Sequence, residues 1–202
     1  SRPAQMRAEY SGVPLRAIAQ LAKSWNFSEA SFGMAALNSY YATPSVADEH
    51  GFALADAPWP QIFDPFRNAV AGKKVAVIGH FPFAPKALNQ AADFYMLERS
   101  LNEGDYPDSA AEYILPECDY VFITGSAFVN KTAPRLLELS RESFNVVLGP
   151  STPLAPVLVE DYGVSQVTGM VPTSPLAMFE GLSGTDAGTT MFDWGHRVEL
   201  SA

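Results

Sequence analysis

Cysteine is almost absent from this chain: Cys118 is the only one in 202 residues. An intrachain disulfide is thereby excluded, as is a zinc site built from thiolates. Basic residues are few as well, 13 Lys and Arg against 22 Asp and Glu, which leaves a net charge of −9. Apart from the Lys73-Lys74 pair they are scattered. Clustered cations that would grip a phosphate backbone are missing, which argues against nucleic acid as a partner. No apolar run reaches the ~18 residues of a membrane helix, and no signal peptide is visible. The glycine-rich G-x-G-x-x-G loop of dinucleotide sites is lacking too. The expectation is an acidic, soluble, cytoplasmic protein with no membrane partner, and a homodimer is the default assembly. The chain opens at Ser1 without Met, so a trimmed start is expected.

What the chain does have is a repeated pattern. Short apolar runs end on small or polar residues at Val75–Gly79, Tyr120–Gly125, Asn145–Gly149 and Val164–Gly169, and a fifth, Phe94–Leu97, ends on Glu98-Arg99. Helical patterns follow them. This predicts strands near 75–79, 94–98, 120–124, 145–149 and 164–168, with helices near 85–92, 108–115, 132–142, 153–160 and 174–181. Wholly apolar strands alternating with helices indicate a doubly wound, Rossmann-like α/β domain with both sheet faces covered.

Residues 1–43 read as helical. Pro14 suits a first helical position, and Asn26, three before Glu29, suits the cap of a second helix. Small residues on that helix, Gly33 among them, predict close backbone packing. Residues 44–59 lose periodicity and read as a connection. Asp64–Ala71 reads as a short helix that Gly72 stops. The domain boundary is expected at residue 72, giving a mainly helical N-terminal module, 1–72, and an α/β domain, 73–202. The tail at 183–190 is rich in Gly and Thr, and Met191–Leu200 is expected either to form a last strand or to pack on the first module.

In such sheets ligands bind at the carboxyl ends of the strands. That rule singles out His80 after the first strand, as a metal ligand, general base or hydrogen-bond donor. It singles out Glu98, whose distance of about 20 residues from the first loop suits a ribose-binding acid or a cation ligand. It also gathers Thr124, Gly125, Asn130, Pro150, Ser151 and Thr152 along one edge, where free N–H groups favour an anion. Thr152 is expected to cap a helix beginning at Pro153. Asn38, on the second helix, is a further polar candidate. Cys118 precedes its strand, so it belongs at the opposite edge as a buried thiol. His50 and His196 could close over the site.

Several segments carry a family resemblance. Gly12-Val13-Pro14-Leu15, Lys23-Ser24-Trp25-Asn26, Glu29-Ala30-Ser31 and Ala35-Ala36-Leu37-Asn38 resemble one N-terminal module. Val77 to Pro82, Glu98-Arg99, Glu103 to Pro107, Leu115 to Asp119 and Gly149 to Leu154 resemble its partner. Together, from about residue 10 to 182, they resemble the heavy-metal chelation family, formerly a domain of unknown function. The resemblance implies an enolase-N-terminal-like module followed by a Rossmann-like domain. It implies a site in the cleft between them, at His80, Phe81, Glu98, Thr124, Gly125, Asn130, Pro150, Ser151 and Thr152, with Asn26 and Asn38 from the first module. Family members carry further strands ahead of the stretch matching Gly12, so a shortened N-terminal module is expected.

The leading functional expectation is a protein that binds a small-molecule or metal-chelate ligand. A transition metal ion is its implied cofactor, and His80 and Glu98 are the direct ligands. Two protein donors are too few for a tight ion site, so a chelating ligand would supply the others. The alternative is a nucleotide or S-adenosyl-type site resting on Glu98. A third reading is a non-catalytic module that docks through Phe81–Phe83 and the Trp59 region. The sequence assigns no reaction.

Overall fold

A computed structural model describes residues 10–56, 58–183 and 191–202. The first nine residues and the Gly/Thr-rich stretch 184–190 lie outside the described residues. The chain order is α1 (Leu15–Ala19), α2 (Phe27–Tyr41), α3 (Pro44–Glu49), β1 (Ala53–Leu54), β2 (Lys74–Ile78), α4 (Ala84–Ala87), β3 (Asp93–Glu98), β4 (Tyr106–Pro107), α5 (Ala111–Ile114), β5 (Tyr120–Thr124), α6 (Ala133–Leu139), β6 (Phe144–Leu148), α7 (Val157–Glu160), β7 (Gln166–Pro172), α8 (Pro175–Ser183) and β8 (Gly195–Ser201). Short 3₁₀ turns join several of them.

The eight strands form a single sheet in the order β1-β8-β7-β6-β5-β2-β3-β4. The run from β7 to β4 is parallel, while β8 pairs antiparallel with both β7 and β1. This is a Rossmann-like sheet with an antiparallel edge. Alternate residues of each strand point to opposite faces, and the core divides accordingly. Ala76, Ile78, Val121, Ile123 and Val147 pack under Leu115, Leu136, Leu137 and Leu158, from α5 to α7. Val75, Val77, Phe122 and Val146 pack under Phe63, Phe66, Val70 and Leu88, from the segment before β2 and from α4. Covering both faces is what made the strands read as unbroken apolar runs.

The N-terminal helices behave as their sequence predicts where the signal is local. The Asn26 side chain accepts from the Ser28 and Glu29 amides at the start of α2. Ser24 Oγ donates to the Glu29 carboxylate at 2.6 Å and accepts from the Asn26 amide at 3.1 Å. Gly33 lies against the 3₁₀ turn Gln20–Lys23, with no room for a side chain. Pro14 itself sits one position earlier than expected, as the cap residue of α1.

Four expectations are corrected. Residues 44–59 are more than a connection: Pro44 opens α3 and Ala53-Leu54 pair with β8. Both pieces are too short to show a period. Asp64–Ala71 is a 3₁₀ turn followed by further turns, and Gly72 closes it with φ +71°. Pro153 does not begin a helix. Leu154 and Ala155 are buried in irregular chain, and α7 starts only after Pro156. Thr152 is therefore a buried side chain rather than a cap. The expected helix 85–92 shrinks to one turn, Ala84–Ala87.

Candidate functional site

β2 and β3 step one way along the sheet, and the next long strand, β5, returns to the other side of β2. The reversal opens a crevice outside the carboxyl ends of β2 and β5, the place where open α/β sheets bind ligands. A cavity of about 410 Å³ occupies it, on the face covered by α5 and α6. Ile78-Gly79, Leu97-Glu98 and Thr124 form its floor, and Asn130, Lys131 and Arg135 one wall.

Two ion pairs flank this cavity, Arg99–Asp108 at 3.4 Å and Arg135–Glu112 at 2.5 Å. Glu98 is held by the backbone: one oxygen accepts from the His80 amide at 2.9 Å and the other from the Arg99 amide at 2.8 Å. The carboxylate thus staples the loop after β2 to the end of β3, with one lone pair free on each oxygen. His80 Nδ1 lies 3.1 Å from the Asp105 carboxylate, whose side chain is fully enclosed. The Asn102 backbone amide, at 3.0 Å, is the main influence holding Asp105 below its ordinary value of 3.8, and the Asn102 side chain and His80 add to it. An ionised carboxylate only accepts, so Nδ1 donates to Asp105 and Nε2 is the ring nitrogen that Asp105 leaves unengaged. A carboxylate behind a histidine is the arrangement that orients metal-binding imidazoles.

The sign of this shift sets a pH test. The depressed folded-state pKa means that Asp105 contributes stability above pH 3.8, lost as pH falls through its lower folded value. Urea midpoints compared at pH 5.5 and pH 3 are expected to fall less in Asp105→Asn than in the wild type. Equal falls in the two proteins would show that Asp105 has no such linkage.

Lys131 stands out in its backbone. Its φ of +68° makes it the non-glycine residue with positive φ among the described residues. Such strain costs of order 1–3 kcal/mol and concentrates at ligand sites. Its ammonium donates to the Ala22 carbonyl on the N-terminal 3₁₀ turn, and burial lowers its pKa. It has no carboxylate partner among the described residues, unlike Arg99 and Arg135. Asn130 Oδ1 fixes the turn on either side of it by accepting from the Thr132 amide and hydroxyl.

The N-terminal helices meet the sheet edge at two more points. Asn38 Nδ2 donates to the Ser151 carbonyl at 2.8 Å, and the Arg99 guanidinium lies 5.7 Å from the centre of the Phe27 ring. Thr124 caps the turn after β5 and bonds Ser126 Oγ at 3.0 Å. A Cβ on Gly125 would stand 2.5 Å from the Thr152 amide nitrogen, so glycine is what lets the two loops touch. Two buried polar atoms at this contact have no hydrogen-bond partner among the described residues, Asn38 Oδ1 and Thr152 Oγ1.

Of the residues singled out from sequence, Glu98, Thr124 and Asn130 line the cavity. His80 adjoins it through Glu98. Gly125, Ser151 and Thr152 form the neighbouring loop contact, with Pro150 between the latter two and β6. Asn26 serves as a buried helix cap. Phe81 turns to the other layer and packs edge-on against Phe63 at 5.5 Å. Trp59 is buried, so it is no exposed docking aromatic. His50 stacks near Tyr41, and His196 lies on β8 at the far edge. Cys118 is buried, bonded to the Ile114 carbonyl, and pushed up to about 11 by desolvation. Lys131, Arg135, Asp108 and Glu112 escaped the sequence reading, because nothing local separates them from ordinary surface charges.

Two family models match this chain, DUF364 over residues 61–198 and DUF4213 over residues 3–41, both described as "Putative heavy-metal chelation". The chain belongs to the DUF364 family. A solved structure of a DUF364 protein of unknown function from Desulfitobacterium hafniense DCB-2 is 43% identical, with a TM-score of 0.86 over 98% of this chain and 80% of that one. Another DUF364 protein of unknown function, from Pyrococcus horikoshii, is 21% identical with a TM-score of 0.76, covering 100% and 78%, and shares the fold. The uncharacterized protein MJ0500 of Methanocaldococcus jannaschii is 29% identical over 101 residues, 47% of this chain and 39% of that protein. Among the described residues of this DUF364 chain, no cluster of three or more His, Cys, Asp or Glu is arranged to hold a metal ion. No helix of the described residues is long and apolar enough to cross a membrane.

Proposed function

We propose that this DUF364 protein binds a small anionic metal-chelating ligand, or its metal chelate, at the switch-point crevice of the Rossmann-like sheet, beside the N-terminal helices that reach Lys131, Arg99 and Ser151. The observation that carries this reading is Lys131: a partly desolvated ammonium, without a carboxylate partner among the described residues, held in a strained backbone on the wall of the crevice. A partly desolvated cation of this kind is stabilised by an incoming anion.

The donor set fits a chelate better than a bare ion. His80 Nε2 and the free lone pairs of Glu98 offer two kinds of ligand atom, fewer than a transition metal requires. The ligand would bring the remaining donors, with Lys131 on the crevice wall meeting its anionic part. Asp105 would keep His80 in the ligand tautomer, and Asn38 would hold the Ser151 loop in place.

Calorimetry with Ni²⁺ alone, citrate alone and the Ni²⁺–citrate complex tests this. The complex is expected to bind saturably and more tightly than either component. Absence of saturable heat from all three would overturn the reading. Ni²⁺ alone binding as tightly as the complex would replace it with a bare-ion site.

A further inference from the structure

A second cavity, of about 630 Å³, lies at the opposite end of the sheet, where β1 and β8 form the edge. It is separate from the switch-point crevice in two respects. The two stand several strands apart. They also open on opposite faces, because Val198 of β8 joins the α5–α7 core and its neighbour Arg197 therefore points the other way.

Arg197 is the unusual feature here. It is 5% exposed, and among the described residues neither Nε nor Nη1 has a hydrogen-bond partner. The acids nearest in charge are Glu199, Asp56 and Asp64, yet among the described residues none forms an ion pair with it. Burial holds the guanidinium below its ordinary pKa. A buried, unpaired guanidinium is strongly destabilising, so a fold that retains one invites a partner. On the same cavity, the buried Trp59 indole N–H is also unpartnered among the described residues. The Trp59 ring lies 5.5 Å from Phe192, and both line the cavity with Leu54 and Pro58.

We propose that this cavity is a binding site for a small monocarboxylate with a flat apolar body, its carboxylate taken by Arg197 and the Trp59 N–H. The planar guanidinium fork matches a carboxylate, and the paired rings match a flat body. Charge selects a monoanion, since Asp56 lines the same cavity and, with Glu199 and Asp64 near in charge to Arg197, opposes a phosphate dianion.

Benzoate is the probe, with benzamide as its neutral analogue and inorganic phosphate as the dianion. Proton–nitrogen spectra of the folded wild type follow the Trp59 indole signal, identified by its loss in Trp59→Phe. Benzoate is expected to move that signal and the Arg197 Nε–H signal along one saturation curve. Benzamide and phosphate are expected to leave both in place. Arg197→Met is expected to weaken benzoate by about tenfold or more. No saturable shift with benzoate overturns the proposal, as does equal binding of benzamide or phosphate. Undiminished benzoate binding in Arg197→Met overturns it too. Were that variant unfolded by its spectral dispersion, the three probes on the wild type still decide.

Discussion

Gly33→Ala is expected to destabilise the protein by about 2–3 kcal/mol, although alanine is the better helix former by about 1 kcal/mol. An added Cβ would stand 1.9 Å from the Ala22 amide nitrogen and 2.5 Å from the Leu21 carbonyl carbon. Both are backbone atoms, so no side chain can swing aside. Relief requires α2 and the 3₁₀ turn Gln20–Lys23 to separate. For a chain of this size the loss corresponds to roughly 4–12 °C in the thermal midpoint, read by circular dichroism or calorimetry. A midpoint at or above the wild type would show that the two elements are not in the close contact described. The damage should also reach the crevice, because the Ala22 carbonyl that accepts from Lys131 sits on the displaced turn.

Lys131→Asn is expected to cost the largest share of binding at the switch-point crevice. Asparagine tolerates the left-handed backbone that Lys131 adopts at φ +68°, so the turn should survive while the cation is removed. A hydrogen bond to a charged group contributes about 1.5–3 kcal/mol, which is roughly a 10- to 150-fold loss of affinity for the Ni²⁺–citrate complex. Thermal stability should change little, because relief of the partly desolvated ammonium and its strain offsets the lost hydrogen bond to the Ala22 carbonyl. Lys131→Arg should recover part of the affinity. Unchanged affinity in Lys131→Asn, with the fold intact, would remove the residue on which the proposed function rests.

Where a structural decision is made between near neighbours in the chain, the residues themselves announce it. Asn26 caps α2 because its side chain reaches amides two and three positions away. The strands at 74–78, 93–98, 120–124 and 144–148 fall within a residue of where their apolar runs place them. Gly33 betrays a tight packing because nothing larger would be tolerated. The carboxyl edge, and Glu98, Thr124 and Asn130 on it, follow from chain direction in a parallel sheet.

What the sequence left open was decided by contacts between distant segments. Ala53-Leu54 and Tyr106-Pro107 become strands only because β8 and β3 offer them open edges. Thr152 looked like a cap, yet it is drawn inward because Gly125, 27 positions earlier, leaves space for its backbone. Asp105 acquires its role from His80, 25 residues away. Lys131 is selected by a carbonyl 109 positions distant. Arg197 reads as an ordinary strand arginine until the sheet buries it without a partner. Propensity and periodicity act over a few residues and write themselves into local sequence. Pairing, burial and the desolvation of single charges depend on which surfaces meet after the chain has folded.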